Sequence, residues 1–249
     1  MIVLKTPEQI ERIRKSCRIL VDTFRRAEEL LKPGVKTSEI DAAVEEYVRS
    51  RGAVPAFKGY RGYPASVCIS VDEVVLHGIP GDLVLEEGQI VTLDMGVILD
   101  GYYSDAAKTY AIGEVSEEKQ RLMDAAKAAL MKAIEVAREG NRIGDIAHAI
   151  QRTAEGRGFS VVRQFCGHGI GRNLHEEPEV PNFGRPHTGA RLRRGMTLAI
   201  ETMVNAGTPE VEIASDGWTV YTKDRRPAAH FEHTIAVTDG EADILTLGL

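Results

Sequence analysis

Residues 90–112 read IVTLDMGVILDGYYSDAAKTYAI and predict a β-hairpin that carries two aspartates on one face. Two apolar runs flank Asp100-Gly101, a preferred pair for the two-residue type I′ turn. Because that turn fixes the register, Asp105 is expected opposite Gly96, so Asp94 and Asp105 become diagonal neighbours. Two carboxylates placed together repel each other unless a cation or a proton lies between them. The apolar surroundings argue against a solvated polar face, so the hairpin predicts a metal site.

Two further acidic residues and one histidine extend this predicted site. Glu201 and Glu232 each stand as a lone acid in a β-like run. His168 lies in segment 166–171, CGHGIG, which is interpreted as a glycine-rich loop that allows close approach of the backbone. A dinucleotide-binding loop is disfavoured, because the spacing is not GxGxxG and no βαβ unit surrounds it. Four carboxylates and one imidazole favour Mn, Fe(II), Co(II) or catalytic Zn, and their charge suits two ions better than one.

The other histidines receive weaker interpretations. His175 is either a core histidine or a group that supports the site from outside, and His148 is structural or exposed. Three have no assigned role, with the surface or the surroundings of the site as the default: His187, His230 and His233.

Matching segments recur in the same order in two parts of the chain and indicate an internal duplication. Residues 34–40, GVKTSEI, lie over residues 140–146, GNRIGDI. Two further pairs of segments match: Cys68 to His77 with Cys166 to His175, and Gly88 to Asp94 with Gly195 to Glu201. The duplication predicts a single domain, residues 1–249, whose halves cover 1–115 and 116–249. The polar residues of both halves would then converge at their interface.

The coarse secondary structure repeats in the same way, with two helices followed by strands in each half. Thr6-Pro7 with Gln9 predicts a capped helix start, and 32–34 ends this helix. Further helices are predicted at 38–50, 116–140 and 143–155. β-like runs are predicted at 67–71, 74–79, 90–99, 102–112, 160–165, 196–204, 211–214 and 230–237.

The composition is that of an ordinary globular protein. Hydrophobic residues make up 43% and charged residues 27%, which excludes disorder, and the net charge of −6 argues against bulk nucleic-acid binding. No secretory signal and no apolar run long enough to cross a membrane is recognised. Three cysteines without a CxxC pair argue against disulfides and structural zinc, and fit a reducing cytoplasm.

These motifs together resemble type I methionine aminopeptidase. Five polar residues and two short motifs carry the resemblance: Asp94, Asp105, His168, Glu201 and Glu232, with His77-Gly78-Ile79-Pro80 and His175-Glu176-Glu177-Pro178. The match covers essentially the whole chain and includes 59–64, 216–219 and 232–235. The resemblance implies an α+β, pita-bread fold, in which two pseudo-symmetric halves place antiparallel sheet inside and helices outside around two divalent ions.

The resemblance also implies a role for each site residue. Two ligand sets follow: Asp94 and Asp105 for one ion, and Asp105, His168, Glu201 and Glu232 for the other, with Asp105 and Glu232 bridging. Glu201 would carry protons, His175 would hydrogen-bond the developing oxyanion, and His77 would lie near the scissile nitrogen. The methionine pocket would be lined by Tyr60, Tyr63, Cys68, Leu174 and Trp218.

The activity implied is removal of the N-terminal methionine from nascent polypeptides whose second residue is small. The metals implied are Co, Mn, Fe(II) or Zn. The protein would be a cytoplasmic monomer that contacts the ribosome only transiently. It would have no membrane partner and no specific nucleic-acid partner.

Two departures from the family pattern create further expectations. Thr202 stands where the family usually has proline, which raises the expectation of a shift in the strand that carries Glu201. Leu174 stands where an aromatic residue is often found, which predicts a looser methionine pocket.

Alternatives of the same and of other classes stay open at this point. Prolidases and Xaa-Pro aminopeptidases share the fold but carry a large N-terminal domain, whereas the first helix here begins at residue 7. Type II methionine aminopeptidases carry an inserted subdomain, for which 202–231 is too short. A metal-free binding protein on this fold would lose ligands that this chain keeps.

Overall fold

A computed structural model describes all residues, 1–249, and shows four α-helices around antiparallel sheets, with one short 3-10 helix at Tyr60–Gly62. The helices are α1 (Pro7–Glu28), α2 (Thr37–Ser50), α3 (Glu117–Val136) and α4 (Ile143–Glu155). The strands of the first half are β1 (Val54–Pro55), β2 (Cys68–Val71), β3 (Val74–Leu76), β4 (Ile90–Leu99) and β5 (Tyr102–Ala111). Those that follow are β6 (Ser160–Val161), β7 (Cys166–Gly169), β8 (Glu176–Pro181), β9 (Thr197–Asn205), β10 (Val211–Ile213), β11 (Val220–Thr222), β12 (Ala228–Ala236) and β13 (Asp243–Ile244).

Two main sheets have a similar arrangement. In the first, β4 pairs along its whole length with β5, and its other edge pairs with β1 and β2. In the second, β9 pairs with β6, β7 and β12, while β8 and β13 extend the edges. A small third sheet, β10-β11-β3, joins segments from both halves of the chain. All these pairings are antiparallel.

Each main sheet packs its own pair of helices over its own core. One hydrophobic cluster includes residues of α1, α2, β4 and β5, such as Phe24 and Leu93. The other includes residues of α3, α4, β9 and β12, such as Ile146 and Ile200. None of the helices has the length and hydrophobicity needed to span a bilayer. Each pair of helices covers the outer face of its own sheet, and strands β5 and β12 meet between the two halves.

The predicted helix starts are confirmed, but two helix ends were placed too late. Thr6 and Gln9 form the expected capping box. Helix α1 ends at Glu28, because Leu30 and Leu31 continue with tighter bonds to carbonyls three residues back. Helix α3 ends at Val136, whose carbonyl accepts a hydrogen bond from the side-chain amide of Asn141.

Some β-like runs are shorter than predicted. The run at 160–165 forms a strand only at 160–161, and the run at 74–79 only at 74–76. His77, with φ at +59°, leaves the extended conformation immediately after β3. The next residue, Gly78, packs so closely on the backbone of Ile69 that a Cβ would overlap with its carbonyl.

Candidate active site

The β4–β5 hairpin has the predicted turn and register. Asp100 and Gly101 both have positive φ, and Asp105 pairs with Gly96. Asp94 and Asp105 are both buried, and one carboxylate oxygen of each lacks a hydrogen-bond partner. The hairpin prediction is confirmed, and it places two incompletely satisfied carboxylates in the interior.

Glycine is required opposite Asp105 for a packing reason. A Cβ at Gly96 would lie 3.0 Å from both Ala56 Cβ and Phe57 Cε1. The missing side chain therefore lets the segment that carries Phe57 approach the sheet beside the aspartates.

Strands β9 and β12 place the two glutamates directly opposite each other. Glu201 pairs with Glu232 in an antiparallel ladder that runs without a shift from Thr197 to Asn205. Thr202 is fully buried, and its hydroxyl lies 3.0 Å from the carbonyl oxygen of Ala126 and 3.2 Å from that of Phe231. Thr202 therefore anchors β9 to α3, and the strand shows no displacement in register.

His168 lies on a strand, so its interpretation as part of a loop was wrong. It belongs to β7 and pairs with Ala199 of β9. The glycines on either side allow close packing of strands: a Cβ at Gly167 would overlap with the Ala199 carbonyl, and one at Gly169 with the Glu177 carbonyl. The glycines therefore do allow the close approach of backbone that was expected, but between paired strands and not in a loop.

The ring of His168 is oriented toward the carboxylates. Its Nδ1 lies 2.9 Å from the carbonyl oxygen of Gly169, which fits an Nδ1–H donor. Its Nε2 lies 3.6 Å from Asp105 Oδ2 and 3.9 Å from Glu201 Oε1. This tautomer leaves the Nε2 lone pair free for a metal ion, as is common when a backbone carbonyl orients a ligand.

The electrostatics of the cluster favour a bound cation. Burial raises the pKa of Asp94 to about 7. Burial and the neighbouring carboxylates raise the pKa values of Asp105 and Glu232 well above the usual range. Burial also opposes ionisation of Glu201, but His230 and the other nearby histidines outweigh it and lower its pKa.

The residues present fit divalent metal ions. Two groups of three residues each bring their ligand atoms within 4.8 Å of one another. The first group is Asp105, His168 and Glu232, and the second is Glu201, His230 and Glu232. Three buried carboxylate oxygens have no protein partner: Asp94 Oδ1, Asp105 Oδ1 and Glu232 Oε1. Oxygen-rich sets with imidazole suit Mn, Fe, Co or Zn, and a cation would satisfy these oxygens.

Two more histidines, His77 and His175, line the same cavity as the carboxylates. Tyr60 Oη lies 2.8 Å from Nδ1 of His175, whose ring is 4.2 Å from that of His168. The ring of His77 makes edge-to-face contacts with Phe165 and Trp218. Burial lowers the pKa of both His77 and His175 to about 4, so both rings are neutral at physiological pH.

One cavity of about 260 Å³ contains every site residue proposed from the sequence. Its lining includes His77, Asp94, Asp105, His168, His175, Glu201 and Glu232 with Tyr60, Tyr63, Cys68, Leu174 and Trp218. Sequence reasoning missed five other lining residues: Phe57, Arg61, Leu76, Phe165 and Cys166. Proximity in the chain could have suggested four of them, since Leu76 precedes His77, Arg61 follows Tyr60, and Phe165 and Cys166 lie near His168.

His230 is the clearest omission among the polar residues. It is almost fully buried, and its Nε2 lies 3.4 Å from Glu201 Oε2. Of the two expectations for His230, a position at the surface is therefore wrong, and a position beside the site is correct. The other unassigned histidines lie elsewhere: His187 is exposed, and His233 Nδ1 bonds the hydroxyl of Thr246.

Comparison with known proteins agrees with this arrangement of strands and polar residues. The sequence pattern of metallopeptidase family M24 matches residues 11–239. The chain belongs to this family. It is 49% identical over 247 residues to a methionine aminopeptidase of Clostridium perfringens, with 99% of both chains covered. It is 45% identical to methionine aminopeptidase 1 of Bacillus subtilis over 246 residues, again covering 99% of both.

Solved structures of M24 members have the same fold. The methionine aminopeptidase of Rickettsia prowazekii superposes with a TM-score of 0.98 at 41% identity, covering 99% of this chain and all of the other. Prolidase from Pyrococcus furiosus superposes with a TM-score of 0.81 at 24% identity, over 98% of this chain and 65% of that one. The similarity to prolidase shows only that the two proteins share a fold. Together the two superpositions confirm the pita-bread fold expected from the sequence.

Proposed function

We propose that this M24 protein is a type I methionine aminopeptidase, which removes the N-terminal methionine of nascent polypeptides when the second residue is small. The observation that carries the proposal is that four buried carboxylates and His168 line one cavity together with aromatic and aliphatic side chains. Relatives that align over 99% of the chain and bear the name methionine aminopeptidase support it.

The proposed metal centre holds two divalent ions, which would be Co, Mn, Fe(II) or Zn. Asp94 and Asp105 would hold one ion, and Asp105, His168, Glu201 and Glu232 the other. When bound, such ions supply Lewis-acid polarisation of a carbonyl and a hydroxide at neutral pH. The unpartnered carboxylate oxygens and the raised pKa values support this assignment.

The protein's own residues would then handle protons and charge. Glu201 would be the proton carrier, because it lines the cavity and is ionised, and so able to accept a proton, at neutral pH. If Tyr60 donates to Nδ1 of His175, the ring carries its hydrogen on Nε2 and can donate to a developing oxyanion. His77 would lie near the scissile nitrogen as a neutral ring.

The apolar wall of the cavity would bind the methionine side chain. Tyr63 is held in place because its hydroxyl donates to the carbonyl of Gly78 at 2.9 Å. Leu174 is buried in the same cluster as Phe57, whose ring adds bulk to a wall that the sequence expectation described as loose. The proposed lining is Tyr60, Tyr63, Cys68, Leu174 and Trp218. Unbranched side chains such as methionine and norleucine should fit best.

The organisation of the chain is a further part of the proposal. Residues 1–249 would form one catalytic domain that arose by duplication, with halves near 1–115 and 116–249. Isolated bridges at equivalent positions support this, since Lys36 pairs with Val84 and Arg142 with Arg191. The enzyme would act as a cytoplasmic monomer on chains that emerge from the ribosome.

Peptide hydrolysis by metal-stripped enzyme to which metals are returned tests the proposal. Met-Ala-Ser should be cleaved faster than Ala-Pro-Ser, and only when a divalent metal is present. Fastest turnover of Ala-Pro-Ser would instead assign the protein to the proline-specific enzymes of this fold. No hydrolysis with any metal would indicate a binding protein.

A further inference from the structure

The imidazole of His230 is buried beside Glu201 without a satisfied hydrogen bond. Its side chain is 2% exposed, and neither ring nitrogen has a partner of good geometry. Nε2 approaches Glu201 Oε2 at 3.4 Å and Glu232 Oε2 at 4.0 Å. A buried polar group without a partner is unfavourable, so its presence calls for a physical reason.

His230 lies behind Glu201 rather than in the cavity. The cavity lining includes Glu201 and Glu232 but not His230. The two carboxylate oxygens of Glu201 therefore face different partners: Oε1 lies 3.9 Å from His168 Nε2, and Oε2 faces His230. A donor on the far side would leave Oε1 for the reaction.

The backbone of His230 is held by a single hydroxyl from the other half of the molecule. Thr109 Oγ1 accepts a hydrogen bond from the His230 N–H and donates to its carbonyl, both at 2.9 Å. In the reverse direction, Thr234 of β12 accepts from the Asp105 N–H at 3.1 Å and donates to its carbonyl at 2.7 Å. His230 thus occupies in β12 the place that Asp105 occupies in β5.

We infer that His230 is a positioning residue whose Nε2–H donates to Glu201 Oε2 and fixes the carboxylate for proton transfer. The inference rests on the proposed function, because it assigns Glu201 the proton-carrying role. Hydrogen bonds at such sites are often long without substrate and shorten in the reactive complex, which accounts for the 3.4 Å approach.

Two isosteric amides separate this role from simple packing. In His230→Gln the amide nitrogen takes the place of Nε2 and can still reach Glu201, whereas in His230→Asn it takes the place of Nδ1 and cannot. With Met-Ala-Ser and added Mn(II), kcat should fall about 10–100-fold in His230→Asn, with KM nearly unchanged, and should remain close to wild type in His230→Gln. His230→Leu serves as a second variant without a donor, should His230→Asn fail to fold.

The number of Mn(II) ions bound per chain, measured by titration calorimetry, is the readout independent of activity. It should be the same in all variants, and His233→Gln on the opposite face of β12 should behave as wild type. Fewer bound ions in His230→Asn would make His230 a ligand, and equal kcat in Gln and Asn variants would exclude the hydrogen bond; either result overturns the inference alone. A wild-type enzyme inactive on Met-Ala-Ser would overturn the proposed function and this inference together.

Discussion

Replacement of Lys5 by methionine should destabilise the protein and slow its reaction. Lys5 Nζ lies 2.5 Å from Glu176 Oε2, and the two side chains are only 4% and 10% exposed. Removing one partner of a buried ion pair costs about 3–5 kcal/mol, because the other charge is left without compensation. Glu176 keeps two backbone donors, from Arg172 and Asn173, which places the cost near the lower end, about 3 kcal/mol.

The cost translates into a measurable thermal shift. For a chain of this length, about 3 kcal/mol corresponds to a decrease in Tm of roughly 6–12 °C, measured by calorimetry. Because His175 is adjacent to Glu176, kcat should fall while the bound metal is retained.

A matched control comes from an exposed ion pair. Lys36 and Asp82 are 48% and 95% exposed, so solvent screens the pair and Lys36→Met should leave Tm nearly unchanged. In the double variant Lys5→Met/Glu176→Gln, part of the lost stability should return, since the uncompensated charge is gone. If Lys5→Met lowers Tm no more than Lys36→Met does, the ion pair does not hold the His175 segment as described.

Three other predictions concern the site itself. His175→Ala should lower kcat about 10²–10³-fold without loss of metal, and a parallel decrease in metal content would make His175 a ligand. In metal-free protein, the stability of wild type relative to Asp94→Asn should decrease as pH rises from about 4 to about 7, because Asp94 is protonated in the fold but ionised when unfolded; urea unfolding of both proteins should show a relative loss of up to about 4 kcal/mol. A stability difference between wild type and Asp94→Asn that does not change across this window would contradict the burial of that carboxyl. Met-Lys-Ser should be cleaved far more slowly than Met-Ala-Ser, and norleucine should nearly replace methionine at the first position, as initial rates would show; comparable turnover of Met-Lys-Ser would remove the small-residue rule.

The sequence was most informative where local chemistry determines geometry. The pair Asp100-Gly101 fixed the turn, and the turn fixed which aspartates share a face. The cap at Thr6 likewise determined the first helix start. In both cases the interactions join residues that are close in the chain, so no knowledge of packing was needed.

Features that depend on contacts between distant segments were not predictable in this way. The glycines beside His168 suggested a loop, because a sequence does not reveal that another strand packs against them. Phe57 enters the cavity because Gly96, far along the chain, leaves room for it. His230 is held in position by its place in β12 and by the hydroxyl of Thr109. No hydrophobic periodicity in the sequence indicates that contact.

Hydrolysis of Met-Ala-Ser by chelator-stripped enzyme during stepwise return of a divalent metal tests the central claim most directly. The proposed centre predicts no turnover in stripped enzyme and a return of activity as Mn, Fe(II) or Co(II) is added, because the bound metal would supply the hydroxide that attacks the peptide. Asp105→Asn should prevent that recovery. Full activity in metal-free enzyme would contradict the proposed metal centre.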